Sequence, residues 1–315
     1  MASSDESSDS ETSIGFYSKA NTTSYDSREV SIFRGKEYLS ENAGNHISVT
    51  NSNVELRDNF SQLLILEATK NIDLITLNYH PRTWNYFIGK PLGTTQYYPD
   101  DFDTTSIACT VLPTRPEVVV SVIDEILTLN SEDGLVTTYF DDTRARIDPT
   151  VSVNVLSLCY HHGYENLQLF QATQTYVISV LEDRSYLTGT RYYNSPEPFL
   201  FFFARLLTCK QAHSLRARVL PLLQDRIRER AGLPGDALQL GMRILAGMSA
   251  EVGWENLGSE SFWKKDVLNL RALQSADGGW EIGWLCRYGK TGVMIGNRGL
   301  TTALAVKALE ETSGM

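Results

Sequence analysis

The hydrophobic positions of this chain recur with the period of an α-helix. From Asp58 onward, apolar residues stand three and four positions apart, which places them on one broad helix face. The members of this first stretch are Phe60, Leu63, Leu64, Leu66, Ile72, Leu74 and Ile75. No stretch shows the sustained alternation of apolar and polar residues that predicts a β-strand. The pattern therefore predicts an all-α protein.

Five later helices are predicted to begin in a common way. Each starts at a side chain that can accept hydrogen bonds from the free N–H groups of a first helical turn, in two cases with proline next to it. The five starts are Asp103, Asp148, Glu197, Asp236 and Asn297. The residues that follow each start are apolar or small nearly all round, which is typical of a helix packed between other helices. More amphipathic helices are predicted between them, such as 116–129 and 211–230.

In this chain the helix pairs repeat about every 40 to 50 residues. A repeat of roughly 20 to 50 residues is typical of proteins built from repeated structural units, here helical hairpins. We predict one α/α toroid of five or six hairpins over residues 58–315, an N-terminal arm over 29–57, and a disordered tail rich in Ser, Asp and Glu over 1–28. The inner helices of a toroid all start at one end. The five starts should therefore ring one rim, where helix N-termini favour anions.

Composition narrows the class of protein. The chain has 315 residues, 42% of them hydrophobic, and a net charge of −10, which argues against a nucleic-acid partner. Its four cysteines form no Cys-x-x-Cys pair, and Cys109, Cys159 and Cys209 are interpreted as small core residues of a reducing compartment. The longest bulky apolar run, 199–203, is too short for stable membrane insertion. The acidic N-terminus does not fit a secretory signal, so a cytoplasmic location is expected.

Residues 101–105, Asp-Phe-Asp-Thr-Thr, are the strongest candidate for chemistry. Two carboxylates two residues apart repel each other, and like charge together with burial raises the pKa of one of them. The result is a carboxylic acid that is still protonated near neutral pH and can donate a proton. A purely structural alternative is that Asp103 only caps a helix.

Three enzyme families have aspartate motifs similar to residues 101–105. A phosphatase of the haloacid dehalogenase type would need a buried strand before its nucleophilic Asp, but residues 94–100 are polar and no strand–helix alternation follows. An ionising terpene synthase would hold Mg²⁺ with Asp100, Asp101 and Asp103, although the spacing is short and no second Asn-x-x-x-Ser-x-x-x-Glu cluster is present. A protonating, class II terpene cyclase would use the middle Asp as its acid. This motif alone leaves the alternatives open.

A second motif lies at residues 273–280, Leu-Gln-Ser-Ala-Asp-Gly-Gly-Trp. It has the form of the Gln-Trp repeat of triterpene and diterpene cyclases. The Gln can bond backbone groups at a helix end, the glycines allow a tight turn with positive φ, and Trp280 packs over that turn. A degenerate copy aligns at residues 129–135. We interpret this repeat as structural and assign no chemistry to Trp280.

Together, the two motifs make the chain resemble the terpene cyclase domain of fungal drimane-type sesquiterpene synthases. Those proteins are often fused to a haloacid dehalogenase-like phosphatase. The resemblance runs from about Asp58 to the C-terminus and includes four further segments, 133–140, 146–149, 189–193 and 295–303. No separate phosphatase domain is recognised in the sequence, so we expect a product that keeps its diphosphate. A homo-oligomer or a downstream phosphatase is left open as a partner.

The resemblance implies a class II cyclase with a terpenoid-cyclase barrel, and a prenyl diphosphate, farnesyl diphosphate, as its substrate. Asp103 would protonate the terminal alkene, and Asp101 and Thr104 would orient and tune that acid. The product would be a bicyclic diphosphate of the drimenyl or albicanyl type. The alternatives from other classes are a metal-dependent ionising synthase and a non-catalytic toroid that binds an isoprenoid or a protein.

Two further groups of residues are candidates for binding. Carbocations need aromatic faces and exclusion of water, and the best candidates for such a pocket are Phe102, Tyr192, Tyr193 and Phe199. A diphosphate needs cationic donors, and the candidates, which flank a Gly-rich loop, are Arg287, Lys290 and Arg298. The alternative is that this loop is only a solvated segment with scattered charge and no binding role. Mg²⁺ is the expected cofactor, and its ligands cannot be assigned from the sequence.

Overall fold

The computed structural model describes residue 1 and residues 27–164, 168–253 and 262–313. The predicted disordered tail, residues 1–28, falls almost entirely outside these described residues. Within them lie eleven α-helices. In chain order they are α1 (Ser27–Glu41), α2 (Asn59–Thr69), α3 (Phe102–Val111), α4 (Pro116–Thr128), α5 (Pro149–His162), α6 (Gln168–Asp183), α7 (Glu197–Leu207), α8 (His213–Arg228), α9 (Ala237–Ser249), α10 (Phe262–Ala272) and α11 (Arg298–Glu311).

Six of these helices form a closed ring. Each of α2, α3, α5, α7, α9 and α11 packs against the next, and α11 returns to α2. Helices α1, α6, α8 and α10 pack on the outside, against α11, α5, α7 and α9 respectively. The ring helices are buried nearly all round: in α5, every residue from Thr150 to Tyr160 is buried. The main hydrophobic core therefore lies between the ring helices and the outer helices that cover them.

The prediction of an all-α protein is wrong, because the structure contains a small antiparallel sheet. Its strands are β1 (Ser48–Thr50), β2 (Glu55–Leu56), β3 (Trp284–Arg287) and β4 (Met294–Asn297), in the order β2-β1-β4-β3. The strands have only two to four residues, too few to show the alternation from which a strand is predicted. Strand β1 pairs with β4, with Ser48 opposite Asn297. This pairing joins the segment 29–57 to the chain that leads into α11.

The ring helices begin at polar side chains. Five of them have a side-chain N-cap, namely Asp58, Asp101, Asp148, Asp236 and Asn297, for α2, α3, α5, α9 and α11 respectively. Helix α7 instead begins at Glu197 after Pro196, with no side-chain cap. The sequence places the start of α3 at Asp103, and the structure corrects this to Asp101. Because the side chain of Asp101 accepts the free N–H of Thr104 in the first turn, the carboxylate of Asp103 is available for other bonds.

The Gln-Trp turn and its degenerate copy have the same backbone bonds. Gln274 bridges Trp280, and Asn130 bridges Val136. In each turn the backbone N–H of a serine donates to the carbonyl four residues later, at 2.8 Å. The glycine of each turn has positive φ, 92° at Gly278 and 73° at Gly134, a conformation that glycine adopts without strain. The aligned segments are therefore equivalent turns, with Val136 in the place of the tryptophan.

Candidate active site

A cavity lies against the first turns of α2, α3 and α5. About 470 Å³ of space, which includes solvent at its open mouth, lies in this cavity, and Asp101, Asp103 and Thr104 form part of its wall. Much of the rest is aromatic. The aromatic residues of the described chain that line it are Phe60, Tyr86, Tyr98, Tyr139, Tyr192, Tyr193 and Tyr288. An acidic motif and a ring of π-faces thus share one pocket.

The carboxyl group of Asp101 caps the N-terminus of α3. Its Oδ1 accepts a hydrogen bond from the backbone N–H of Thr104 at 2.6 Å, and its Oδ2 accepts one from the hydroxyl of Thr104 at 3.0 Å. Burial raises the pKa of Asp101 well above its ordinary value, and the two bonds from Thr104 act in the opposite direction. This carboxyl therefore holds the helix start and the orientation of the motif.

Asp103 lies two residues further along, within the first turn of α3, and has different partners. Its Oδ1 accepts a hydrogen bond from Nδ2 of Asn154 at 2.7 Å, and its Oδ2 accepts one from the hydroxyl of Tyr193 at 2.5 Å. Burial raises its pKa to about 7, against the lowering effect of these two donors. At neutral pH a large fraction of Asp103 is therefore protonated. Each carboxyl oxygen has two lone-pair positions, so the two donors leave room for the acidic proton.

The two donors to Asp103 come from distant parts of the chain. Asn154 stands in the middle of α5, 51 residues away, and Tyr193 is in a loop 90 residues away. The sequence indicated Tyr193 as a pocket residue, but no local pattern indicated its hydrogen bond or any role for Asn154. Asn154, the one amide side chain among the apolar and small hydroxyl residues of 150–160, was the available signal.

The structure separates the four aromatic candidates into two pairs. Tyr192 and Tyr193 line the cavity. Phe102 instead packs against Phe140, with ring centroids 4.5 Å apart, and Phe199 stacks on Tyr186 at 4.9 Å. Neighbouring residues on a helix point about 100° apart, since a turn takes 3.6 residues, so Phe102 faces away from the cavity that Asp103 enters.

The wall also contains aromatic side chains from 79–98 and 138–140, segments that are not helical. The hydroxyls of Tyr98 and Tyr139 lie 3.2 Å apart. The rings of Tyr139 and Tyr192 meet edge to face, with centroids 5.9 Å apart. These tyrosines form one connected patch from the motif loop to the loop of Tyr193.

The three cationic candidates are also divided. Arg287 lines the cavity, and its guanidinium donates to the backbone carbonyls of Thr190 and Arg191. Lys290 is exposed in an adjoining groove that Arg287 and Arg191 share.

Arg298 lies elsewhere, at the Gln-Trp turn. Its guanidinium contacts the carboxylates of Asp277 at 2.7 Å and Glu281 at 3.2 Å, and it lies over the ring of Tyr38. As the first residue of α11, it points to the turn packed beside that helix. Of the three predicted diphosphate ligands, the structure therefore brings two together and gives Arg298 another set of partners.

The residues present do not fit the predicted Mg²⁺. Among the residues that the structure describes, no group of three or more His, Cys, Asp or Glu side chains could hold a metal ion. The carboxylates of 100–103 do not converge, because Asp100 is bound by Thr83 at 2.6 Å and Asn85 at 3.2 Å.

Across the described ranges, no helix is long and apolar enough to span a membrane.

Comparisons with known proteins show which family and which solved structures this chain is similar to. Residues 32–162 match the model of the sesquiterpene cyclase astC-like C-terminal domain. Drimenol cyclase drtB of Aspergillus calidoustus is 47% identical over 276 residues, which are 88% of this chain and 50% of that protein. The predicted resemblance is confirmed. The chain spans about half the length of this curated relative.

Solved structures extend the likeness to the fold. A variant of the type II terpene cyclase MstE from Scytonema, in complex with the substrate geranylgeranyl dihydroxybenzoate, has a TM-score of 0.61 and 12% identity. The match covers 90% of this chain and 97% of that one. The apo form of MstE has a TM-score of 0.60 and 13% identity, with 92% and 99% coverage. At such low identity, the likeness shows a common fold.

Proposed function

We propose that this chain is a class II sesquiterpene cyclase that starts its reaction by protonating an alkene. The observation that carries the proposal is the carboxyl of Asp103, which is buried at the wall of an aromatic cavity and has a pKa raised to about 7. An acid whose pKa lies near the working pH is present in its protonated form and still gives up its proton readily. The name of drtB, a drimenol cyclase, supports the same class of reaction.

The proposed substrate is farnesyl diphosphate. The proton of Asp103 passes to the terminal double bond and leaves a tertiary cation. The second double bond attacks that cation, the third attacks the next, and two carbon–carbon bonds close a bicyclic skeleton. Loss of a proton beside the last cation forms a new double bond. The reaction is an isomerisation that leaves the carbon–oxygen bond to the diphosphate intact, so the product is a drimenyl- or albicanyl-type diphosphate.

The cavity walls suit the cationic intermediates. The negative π-faces of aromatic rings attract a cation most strongly where water is excluded, and the tyrosines around Asp103 provide such faces. Burial of the cavity also protects the cation from capture by water. Aromatic residues that line the wall, such as Phe60 and Tyr139, are therefore proposed to hold the folded chain of the substrate.

The other end of the substrate is proposed to bind at Arg287 and Lys290. Guanidinium groups form short, charge-assisted hydrogen bonds with phosphate oxygens. Arg287 belongs both to the cavity wall and to the groove that contains Lys290. This placement keeps the diphosphate outside while the hydrocarbon enters the cavity. A phosphatase that acts afterwards would then be needed for release of a free alcohol.

The proposal is tested by incubating the purified protein with farnesyl diphosphate and analysing the products by mass spectrometry, with and without added phosphatase. A cyclised diphosphate that is absent with Asp103→Asn and present with Asp100→Asn is the expected result. Asp100 is a matched control, because its carboxylate contacts Thr83 and Asn85 rather than the cavity.

Two outcomes would overturn the proposal. Inorganic diphosphate released together with a hydrocarbon, and equal damage from Asp100→Asn, would indicate an ionising synthase. Substrate that is bound but unchanged by the folded wild-type protein would indicate a binding protein without catalysis.

A further inference from the structure

Asp148 connects two parts of the chain that are otherwise far apart. Its Oδ1 caps α5, where it accepts hydrogen bonds from the backbone N–H groups of Thr150 at 2.7 Å and Val151 at 3.2 Å. Its Oδ2 accepts a hydrogen bond from the backbone N–H of Tyr192 at 2.9 Å. The side chain is buried, with 1% of the residue surface exposed. One carboxylate therefore ties the start of α5 to the loop 189–194.

Both of these parts supply a donor to Asp103. Helix α5 contains Asn154, which donates to one carboxyl oxygen, and the loop contains Tyr193, which donates to the other. Asp148 lies six residues before Asn154 in the helix and bonds the residue next to Tyr193. Its two oxygens thus fix, one each, the two elements on which the hydrogen bonds of Asp103 depend.

The loop is confined on its other sides as well. Arg287 donates its backbone N–H to the carbonyl of Tyr192 at 2.9 Å, so the loop is paired with β3. At Gly189, where φ is +77°, a Cβ atom would lie 2.5 Å from the carbonyl oxygen of Tyr193. Two described contacts of the loop reach the start of α5: a 3.5 Å contact between the hydroxyls of Thr190 and Thr150, and the shorter bond from Tyr192 to the carboxylate of Asp148. The bond to Asp148 is the stronger of the two, because its acceptor is a carboxylate. Its loss would free the loop to shift relative to α5.

We propose that Asp148 is a positioning residue, which holds Asn154 and Tyr193 in place against the carboxyl of Asp103. It acts through these two residues, and it touches neither the cavity nor a substrate. The inference rests on the proposed function only in treating Asp103 as the reacting acid. The arrangement of the hydrogen bonds stands without that assignment.

The first test is Asp148→Asn. An asparagine has one acceptor oxygen, so either the cap of α5 or the bond to Tyr192 is lost, whichever way the amide is oriented. We expect kcat to fall roughly 10- to 100-fold, as for other residues that orient a reacting group through a neighbour, with KM changed little. The matched control is Asp236→Asn, which removes a carboxylate that caps α9 through Gln239 at 2.9 Å and contacts no part of the loop 189–194. It should leave kcat unchanged.

The titration of Asp103 distinguishes positioning from a simple loss of charge. The titratable groups that face Asp103 are Asp101, Asp148, Tyr193 and Cys286. The charge of Asp148 raises the pKa of Asp103 slightly, so removal of that charge alone would lower it. Loss of the stronger hydrogen bond from Tyr193 would instead raise it. The titration is measured by infrared difference spectra between each protein and the same protein with Asp103→Asn.

A rise in the pKa of Asp103 in Asp148→Asn is the expected result. A fall, or no change, would overturn the inference. Because the spectra require no turnover, they also separate the two proposals. A wild type that does not cyclise farnesyl diphosphate, together with the expected rise, would contradict the proposed function and leave the positioning role intact.

A second variant moves the loop without changing any charge. Gly189→Ala forces a Cβ atom against Tyr193 and strains a backbone that favours glycine. It should raise the pKa of Asp103 and lower kcat in the same sense as Asp148→Asn. The control is Gly163→Ala, at the other end of α5, where φ is +81° and nothing lies within 4 Å of the added Cβ. Should Gly189→Ala titrate like the wild type, the loop does not position the acid.

Discussion

Two clusters of buried carboxylates involve helices of the ring, and they differ in how the negative charge of the carboxylates is compensated. In the first, Arg243 of α9 donates to Glu197 at 3.0 Å and to Asp266 at 3.3 Å, and at most 1% of each side chain is exposed. Burial raises the pKa of Asp266, and Arg243 opposes that rise. A cation thus replaces part of the hydration that the carboxylates lost.

In the second cluster, the direct partners of the acid among the described residues are all uncharged. Asp103 receives hydrogen bonds from the uncharged groups of Asn154 and Tyr193. These donors orient the carboxyl but compensate burial only in part, and the pKa stays raised at about 7. The kind of partner therefore decides the role of each buried carboxylate. A charged partner suits it to hold helices together, and neutral donors suit it to hold and release a proton.

The largest effect on turnover is expected when the acidic side chain of Asp103 is replaced. Asp103→Asn keeps the shape of the side chain but removes the acid, so turnover of farnesyl diphosphate should fall by about 10⁴-fold. The melting temperature should not fall, because a buried ionisable group without a cation is replaced by a neutral one. Product formation and thermal unfolding are measured on the same preparation. Retained turnover would remove the distinction between the two clusters.

The opposite result is expected when the charged cluster is broken. Arg243→Met leaves Asp266 buried without its cation, while Glu197 keeps Arg230 at 2.9 Å, and should lower the free energy of unfolding by about 3–5 kcal/mol. Turnover per folded molecule should be nearly unchanged, since Arg243 is not part of the cavity wall. Chemical denaturation together with rate measurements below the unfolding transition checks both. A loss of turnover without a loss of stability would contradict the comparison.

The raised pKa of Asp103 should make the free energy of unfolding depend on pH. In the unfolded chain Asp103 has the ordinary pKa of about 3.9, and in the folded chain its pKa is about 7, so between these values only the folded state holds the proton. The contribution of Asp103 is therefore fully present below pH 4 and is lost as the pH rises to 7, by up to ~4 kcal/mol. Denaturation of the wild type and of Asp103→Asn from pH 4 to 8 measures the difference. Parallel curves would contradict the raised pKa.

The removal of one neutral donor should have a smaller effect. Tyr193→Phe deletes a hydrogen bond that favours the charged form of Asp103, so the pKa of this carboxyl should rise further. Activity requires the protonated acid, so the loss of kcat/KM at high pH should move to higher pH. The rate at the optimum should fall roughly 10- to 100-fold, because the acid is less well oriented. Tyr86→Phe, which changes another tyrosine of the cavity wall, is the control and should leave the profile in place.

The smallest effect concerns two arginines with different partners. Arg287→Gln should raise KM about tenfold, by roughly 1.4 kcal/mol of binding free energy, since it removes a charged donor at the cavity. Arg298→Gln should leave KM unchanged and lower stability slightly, because the guanidinium is occupied by Asp277 and Glu281. Steady-state kinetics and thermal unfolding of both variants separate the two roles. Equal changes in KM would mean that both arginines bind the diphosphate.

Much of the fold and part of the site could be predicted because the signals are local. The Gln-Trp turn is specified by residues 273–280 alone, and the same pattern at 129–135 gives the same backbone bonds. The helix starts at Asp148, Asp236 and Asn297 follow from side chains that cap the next turn. The antiparallel sheet escaped prediction because its strands are too short to have a pattern. The two-residue error at Asp103 arose because both aspartates of the motif are good caps.

The sequence by itself determined that residues 101–105 contain paired carboxylates at a helix start, and that the chain resembles drimane-type cyclases. Only the tertiary structure decided which carboxylate caps the helix and which accepts hydrogen bonds from Asn154 and Tyr193. It also separated Arg287 from Arg298. The physical reason is that caps and turns depend on atoms a few residues apart. The acidity of Asp103 depends instead on burial and on donors 51 and 90 residues away, which meet only when the ring of helices closes.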